Sequence, residues 1–241
     1  MRKQKIGAVV LAAGQGKRMQ SKVAKQFLEL NGRPLITYAL EAFEKSGIDE
    51  VILVTSQDEI SYCTDEIVKK YGFSKVKAVV AGGKERYHSV YEGLKAFRGC
   101  SDIQYVLIQD GARPLVTEAV IQRAIEGAIQ YDACVVGMPV KDTIKVSNQE
   151  GFAAGTPDRS SLWQIQTPQA FRFDLILDAY EKIMSCPEYQ DHITDDAMVV
   201  ETMTSCPVKL VEGDYRNIKV TTPEDLLVAE IFLRTKYKEE K

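Results

Sequence analysis

The sequence predicts an α/β fold: a Rossmann-like, mainly parallel sheet with helices on both faces, from which a β-arm projects. Three observations carry that expectation. Short, β-rich apolar runs alternate with helical patterns, as in successive βαβ units. The first run feeds a glycine-containing turn followed by cations. A polar, turn-rich stretch from Lys141 to Ser161 then breaks the alternation; it is long for a connection inside a compact domain.

Each element has its own justification. Ile6 to Leu11, Val51 to Thr55, Val76 to Val80, Tyr105 to Ile108 and Ala133 to Met138 are short apolar runs and read as buried strands. Strands this apolar need cover on both faces, which helices flanking a parallel sheet supply. Pro34 to Lys45, Glu59 to Tyr71, Tyr87 to Phe97 and Val116 to Gln130 read as those helices. Pro34 suits a first helical turn, and Gly47 and Gly72 fall where a left-handed residue closes a helix. Partial alternation over Val140 to Val146 makes the polar excursion, residues 141–161, a projecting hairpin. Leu175 to Met184, Asp195 to Met203 and Pro223 to Arg234 then read as helices. Val208 to Val211 and Ile218 to Val220 read as strands, and Lys236 to Lys241 as a frayed tail. One domain, residues 1–241, is expected.

Composition narrows the class. With 241 residues, 45% hydrophobic and 27% charged, the chain has the profile of a soluble globular protein with a sizeable core. A formal net charge of -3 gives no basic excess for nucleic acid. No apolar run reaches the roughly 18 residues of a membrane span. The basic residues of 1–5 before apolar Ile6 to Ala13 mimic a minimal signal peptide, but a buried strand entering a glycine loop accounts for the same run. Cys63, Cys100, Cys134, Cys186 and Cys206 are odd in number and contain no C-x-x-C pair. They read as scattered reduced thiols of a cytoplasmic protein rather than a disulfide framework or zinc site.

The loop Leu11-Ala12-Ala13-Gly14-Gln15-Gly16-Lys17-Arg18-Met19 carries the first chemistry. Glycines let backbone N–H groups close on phosphate oxygens, and cations follow at Arg18, Lys22 and Lys25. The dinucleotide fingerprint G-x-G-x-x-G fails at Met19, and no acidic residue ends the second strand at Thr55. The P-loop spacing G-x-x-x-x-G-K-[ST] is absent. Taken alone, the loop fits either a phosphate cradle or an ordinary βα turn with solvated cations.

The loop has company. L-A-A-G-x-G-x-R-M with Lys25-Gln26-Phe27 is followed by Gly82-Gly83-Lys84-Glu85-Arg86-Tyr87-His88-Ser89-Val90 and Asp110-Gly111-Ala112-Arg113-Pro114. Next come Pro139-Val140-Lys141-Asp142-Thr143-Ile144-Lys145, Asp158-Arg159-Ser160-Ser161-Leu162-Trp163, Gln166-Thr167-Pro168-Gln169-Ala170-Phe171 and Asn217-Ile218-Lys219-Val220-Thr221-Thr222-Pro223-Glu224-Asp225. This ordered set resembles the nucleotidyltransferases that make nucleoside-diphosphate sugars and polyols, and within them the 2-C-methyl-D-erythritol 4-phosphate cytidylyltransferase family. Two positions depart from its pattern: Ala24 stands where the family usually has Pro, and Gln109-Asp110-Gly111 where it has H-D-A.

The resemblance implies a reaction and a site. A phosphate monoester attacks the α-phosphorus of CTP in line and pyrophosphate leaves. Because that monoester is largely a dianion at neutral pH, its second pKa being about 6, no general base is needed. The resemblance assigns catalysis to Arg18, Lys25 and Lys219, the last holding the attacking phosphate. Ala12, Ala13, Gly14, Gly16, Gly82, Gly83, Arg86 and Ser89 would bind the nucleotide. Asp110, Arg113, Thr143, Arg159, Thr167 and Thr194 would lie on the substrate side. Magnesium (Mg2+) would bridge the triphosphate, with Asp110 the nearest carboxylate; Asp110 also suits substrate hydroxyls or a structural role. The arm crosses to a second subunit in this family, where Thr143 and Arg159 reach the partner's substrate phosphate, which implies a homodimer with shared sites. His88 and His192 read as surface or satisfied histidines, and Trp163 as packing. The acceptor alternative is D-ribitol 5-phosphate, which the K-D-T-I-K and D-R-S-x-L-W wording disfavours. A non-catalytic nucleotide sensor on the same fold is the alternative of another class, opposed by the joint presence of Arg18, Lys25 and Lys219.

Overall fold

The computed structural model describes residues 4–14, 24–98, 102–190 and 192–239. Strand β1, Lys5–Leu11, is followed after the glycine loop by a short 3-10 turn, Lys25–Phe27. A two-strand ladder comes next, β2 (Glu29–Leu30) and β3 (Arg33–Pro34), closed by Asn31 and Gly32. Both turn residues have positive φ, 50° and 76°. That geometry fits the right-handed strand twist, and Asn-Gly adopts it readily. Pro34 therefore ends a strand and caps helix α1, Leu35–Lys45, rather than lying within its first turn.

Then come β4 (Glu50–Thr55) and a helical stretch of mixed pitch. A 3-10 turn at Gln57–Glu59 leads into α2 (Ile60–Tyr62) and a π-helical run at Cys63–Lys69, in place of the regular helix expected there. Gly72 closes it with φ of 71°, as expected, whereas Gly47 is not among the described residues with positive φ. Strand β5 (Val76–Ala81), helix α3 (Arg86–Ala96), strand β6 (Ile103–Asp110), helix α4 (Glu118–Tyr131) and strand β7 (Ala133–Pro139) follow. The arm carries a hairpin of β8 (Val146–Ser147) and β9 (Ala153–Gly155), and the chain returns on β10 (Trp163–Arg172). Helices α5 (Phe173–Met184), α6 (Pro187–Gln190) and α7 (Asp196–Met203), strand β11 (Lys209–Glu212) and helix α8 (Pro223–Glu239) complete the order.

The main sheet has seven strands in the order β11-β7-β10-β6-β1-β4-β5. The β6-β1-β4-β5 block is parallel, and β11 is parallel to β7. Strand β10, which the sequence pattern did not single out, lies antiparallel between β6 and β7. Its register with β7 shifts between Ile165 and Gln169, the stretch holding Pro168, whose nitrogen cannot donate to a ladder. Residues 218–220 form no strand. Helix α8 runs on past Arg234 to Glu239, where a frayed tail was expected.

Two apolar cores sit on opposite faces of the sheet. In β1, Ile6, Ala8 and Val10 face α1 and α4, while Val9 faces α3 and α5, the period-2 alternation of a strand covered on both sides. A third, smaller cluster seats α8 through Ala229 and Leu233 on Leu30, Leu35 and Tyr38. A leucine such as Leu30, Leu35 or Leu233, once buried, contributes roughly 1.5–3 kcal/mol. The arm leaves the sheet where Val140 N donates to Leu162 O at 3.0 Å, and its residues 141–161 are exposed except for half-buried Pro157.

Candidate active site

Four parallel strands end side by side, and residues at or just beyond their carboxyl ends wall a cavity of about 530 Å³. Ala13 and Gly14 come after β1, Ser56 and Gln57 after β4, Gly82 to Arg86 after β5, and Asp110 is the last residue of β6. The chain runs β1-β4-β5 outward and then crosses back to place β6 on the other side of β1. A crevice at the carboxyl ends of strands beside such a reversal is where open α/β sheets bind ligands. Lys25 and Gln26 close the cavity from the 3-10 turn, and Lys219 from the loop before α8.

At one end the backbone packs too closely for side chains. A Cβ on Gly82 would lie 2.6 Å from Ser89 Oγ and 2.9 Å from Ala13 Cβ; on Gly83 it would meet His88 Cβ at 2.4 Å. The Gly83 amide donates to Ser89 Oγ at 3.2 Å, so α3 holds the glycine pair directly. Helix α3 opens with a capping box between Glu85 and His88, in which Glu85 N donates to His88 Nδ1 at 3.2 Å. His88 is thus the satisfied histidine expected. The opening turn of α3 lines the cavity, and a helix start favours anions.

Charge concentrates at the other end. The Arg86 guanidinium donates through Nε to Asp110 Oδ1 at 3.2 Å, and through Nη1 and Nη2 to the two oxygens of Asp196 at 2.9 and 2.8 Å. Lys219 Nζ lies 2.6 Å from Asp110 Oδ2. Burial alone would raise the Asp110 pKa, but the cations of Arg86, Lys219 and Arg113 outweigh it and hold the carboxyl well below the usual carboxylate range. Burial would likewise lower the pKa of Arg86, and Asp196 and Asp110 reverse that. Gln26, itself buried, donates from Nε2 to Ala12 O and to Gly14 O, tying the turn that carries Lys25 to the end of β1.

A family model described as IspD: 2-C-methyl-D-erythritol 4-phosphate cytidylyltransferase matches residues 6–235. The chain belongs to this family. A 2-C-methyl-D-erythritol 4-phosphate cytidylyltransferase of Lachnoclostridium phytofermentans is 49% identical over 232 residues, covering 96% of this chain and 97% of that one. One of Caldanaerobacter subterraneus is 47% identical, covering 95% and 99%. Among solved structures, the 4-diphosphocytidyl-2C-methyl-D-erythritol synthase of Anaerococcus prevotii superposes with a TM-score of 0.83 at 33% identity, covering 96% of each chain. The cytidylyltransferase of Thermus thermophilus gives 0.73 at 28% identity, covering 96% of this chain and 100% of that one.

The residues that the family pattern nominates fall into four groups. Ala13, Gly14, Lys25, Gly82, Gly83, Arg86, Ser89, Asp110 and Lys219 meet in the cavity. Ala12 is buried behind it, its amide donating to Val54 O at 2.6 Å. Arg113 is no wall residue. It is buried and braces main chain, donating to Asn217 O at 2.7 Å and Ile165 O at 3.4 Å, which fixes the loop of Lys219 against β10. Thr167 sits beneath the floor and accepts from Asp110 N at 3.1 Å. Thr194 is exposed, its hydroxyl 3.7 Å from Met198 Sδ. Thr143 and Arg159 stand exposed on the arm, and Arg159 Nη1 donates to Lys141 O at 3.0 Å. Arg18 and Gly16 lie outside the described residues.

Sequence reasoning assigned no role to seven wall residues, Leu11, Gln26, Ser56, Gln57, Lys84, Glu85 and Ala112. Leu11, Gln26, Lys84, Glu85 and Ala112 sit inside the quoted motifs, so their position was the available signal; Ser56 and Gln57 come after a strand end with no distinctive chemistry. Of the two departures, Ala24 has φ of -59°, close to the angle a proline would impose. A Cβ on Gly111 would lie 2.7 Å from Leu11 O, so the bare glycine lets the ends of β1 and β6 approach. As for a divalent cation, no cluster of three or more His, Cys, Asp or Glu occurs among the described residues. The ionised Asp110 suits magnesium of the kind held by one carboxylate together with substrate phosphates, not one held in an all-protein cage.

Proposed function

We propose that this chain transfers a cytidylyl group from CTP to 2-C-methyl-D-erythritol 4-phosphate, giving 4-diphosphocytidyl-2-C-methyl-D-erythritol and pyrophosphate, in the cytoplasm and in non-mevalonate isoprenoid precursor synthesis. One observation carries the reading: two strand ends, a 3-10 turn and the loop before α8, far apart in sequence, deliver Asp110, the Gly82-Gly83 pair, Lys25 and Lys219 to a single cavity. Among the described residues no helix is long and apolar enough to cross a membrane.

The walls support this chemistry. The phosphate monoester oxygen bonds to the α-phosphorus of CTP, the bond from that phosphorus to the β-phosphate oxygen breaks, and pyrophosphate leaves. Ala13, Gly82, Gly83 and Ser89 form the tight, backbone-rich end and take the cytidine. Lys25, with Arg18, offsets charge developing on the phosphoryl oxygens, and Lys219 holds the incoming monoester in line. Asp110 would hold magnesium together with the triphosphate, and the ion would supply further charge neutralisation there. The active unit is a homodimer: Thr143 and Arg159 lie on an exposed arm with apolar Ile144, Val146 and Phe152, the last 68% exposed, and a second copy covers these and receives the two polar groups at its own substrate phosphate.

Pyrophosphate release is measured with CTP and each polyol phosphate in parallel. The expected result is turnover with 2-C-methyl-D-erythritol 4-phosphate well above that with D-ribitol 5-phosphate; the reverse preference, or none with either, overturns the assignment. For the shared site, inactive Lys25→Ala and Arg159→Ala chains are mixed under exchanging conditions. Random exchange gives about half mixed dimers and about a quarter of wild-type sites. Activity that stays at background places Arg159 in its own chain's site and refutes the sharing.

A further inference from the structure

The Arg86 fork reaches beyond the cavity wall. Its partner Asp196 is 0% exposed and lies at the first position of α7, outside the cavity lining. The carboxylate of Asp196 is fully committed: Oδ1 accepts from Arg86 Nη1 at 2.9 Å and from Tyr180 OH at 2.6 Å, and Oδ2 accepts from Arg86 Nη2 at 2.8 Å. Its backbone is pinned as well, since Asp196 N and Ala197 N both donate to Gln169 Oε1, at 2.9 and 3.0 Å. Gln169 in turn donates to Asp195 Oδ2 at 3.0 Å, and Tyr180 is itself 0% exposed. Such a group cannot touch substrate. It ends a line of four charges of alternating sign, Asp196, Arg86, Asp110 and Lys219, running from under α7 to the cavity.

The line contains a competition. A guanidinium prefers to grip a carboxylate with two parallel N–H groups. Arg86 does this to Asp196 and spares only Nε for Asp110 Oδ1, so Oδ2 remains for Lys219 at 2.6 Å. Without the negative charge of Asp196, the nearest full carboxylate for the fork would be Asp110, and gripping it with both N–H groups would take Oδ2 from Lys219. We propose that Asp196, steadied by the Tyr180 hydroxyl, is a positioning residue: it holds the Arg86 fork away from Asp110 and so reserves Asp110 Oδ2 to place Lys219 for the attacking phosphate. This rests on the functional reading above, in which Lys219 handles that phosphate.

The test is steady-state kinetics of Asp196→Asn, with melting followed by circular dichroism. A displaced Lys219 should lower kcat by about tenfold or more, since misplacement by about 1 Å can cost 10² in rate. The KM for CTP should change less than kcat, because Ala13, Gly82, Gly83 and Ser89 at the tight end of the cavity are untouched. Adding Arg86→Lys should then restore part of the lost kcat, since a lysine cannot fork onto both Asp110 oxygens; a merely structural lesion would be worsened by the second substitution. An unchanged kcat in Asp196→Asn, or a double variant slower than the single one, overturns the proposal. If Asp196→Asn does not fold, Tyr180→Phe decides, because it removes one donor and keeps charge and ring. It should lower kcat by about threefold, the worth of one modest hydrogen bond, and an unchanged kcat sinks the idea. Wild-type enzyme runs in the same assay: failure of wild-type turnover refutes the functional reading, whereas active wild type with unaffected variants refutes only the role of Asp196.

Discussion

The glycine pair after β5 offers a direct test of where the nucleotide sits. In Gly82→Ala the new methyl would begin 2.6 Å from Ser89 Oγ and 2.9 Å from Ala13 Cβ, where ordinary contact starts at 3.4 Å. Neither neighbour yields easily. Ser89 is buried in the first turns of α3 and accepts from Gly83 N at 3.2 Å, and Ala13 belongs to the opposite wall of the cavity. Relief therefore means pushing the ends of β1 and β5 apart by several tenths of an ångström. Overpacking of this kind costs about 1–3 kcal/mol. At about 2–4 °C per kcal/mol for a chain of this size, a cost near 2 kcal/mol lowers Tm by about 4–8 °C. The functional effect should be larger, because the widened walls are those assigned to the cytidine: kcat/KM for CTP should fall by about 10²-fold. The KM for the polyol phosphate should hold, since Lys219 stands at the other end. Thermal melting and two-substrate kinetics measure both. A variant that melts lower yet keeps its CTP kinetics would show that the nucleotide does not lie against Gly82.

The same geometry has other consequences. Lys25→Ala should lower kcat by about 10²-fold, the cost of one lost donor to developing charge, with melting nearly unchanged; native kinetics would remove Lys25 from the mechanism. Asp110 has its folded pKa depressed, so the stability it contributes is present above its unfolded value of about 3.9 and is lost as pH falls below that. The Tm gap between wild type and Asp110→Asn should accordingly narrow between pH 7 and pH 3, and a constant gap contradicts the ion-pair account. Burial pushes the Cys63 thiol up to about 11 and the Cys134 thiol up to about 12. Iodoacetamide at pH 8 should therefore modify half-buried Cys186 well before either, as read by mass spectrometry, and early labelling of Cys134 would contradict its place in the core.

What the sequence disclosed and what it hid divide along physical lines. Strands β1, β4, β5, β6 and β7 were readable because two helical layers cover them and nearly every residue must be apolar. Strand β10 was not, although it lies mid-sheet. Its Gln166, Thr167 and Gln169 are buried at 6%, 4% and 1% exposure, and each is satisfied by specific partners: Gln166 by Asp214 O, Thr167 by Asp110 N, Gln169 by the amides opening α7. A polarity pattern reads such residues as solvent-facing. The reverse error befell residues 218–220, whose β-branched flanks suggest a strand; there Val220 N donates to Ala112 O and Arg113 braces Asn217 O, so the segment is a strapped loop presenting Lys219. Wall residues could be named where glycine or charge comes directly after a strand end. The tie from Arg86 to Asp196 spans 110 positions, and no local pattern announces it.

Those ties explain how a mildly acidic chain can receive two strongly anionic substrates. Arg86 and Lys219 do not wait as bare cations, for each leans on Asp110, and Arg86 on Asp196 as well. Removing one partner of a buried pair leaves an uncompensated charge at a cost of about 3–5 kcal/mol, so Arg86 and Asp196 hold each other in place before any substrate arrives. The two pairs differ in depth. Asp196 is wholly buried and its pair with Arg86 is doubly bonded, whereas the Lys219 side chain is 37% exposed and holds Asp110 by a single contact. Water weakens the second pair far more than the first. An arriving phosphate dianion can therefore reach the half-exposed Lys219 ammonium beside Asp110 while Arg86 stays fixed. The cavity is in this sense charge-balanced before binding, with Lys219 its exposed member, held by Asp110, and Asp196 its buried anchor.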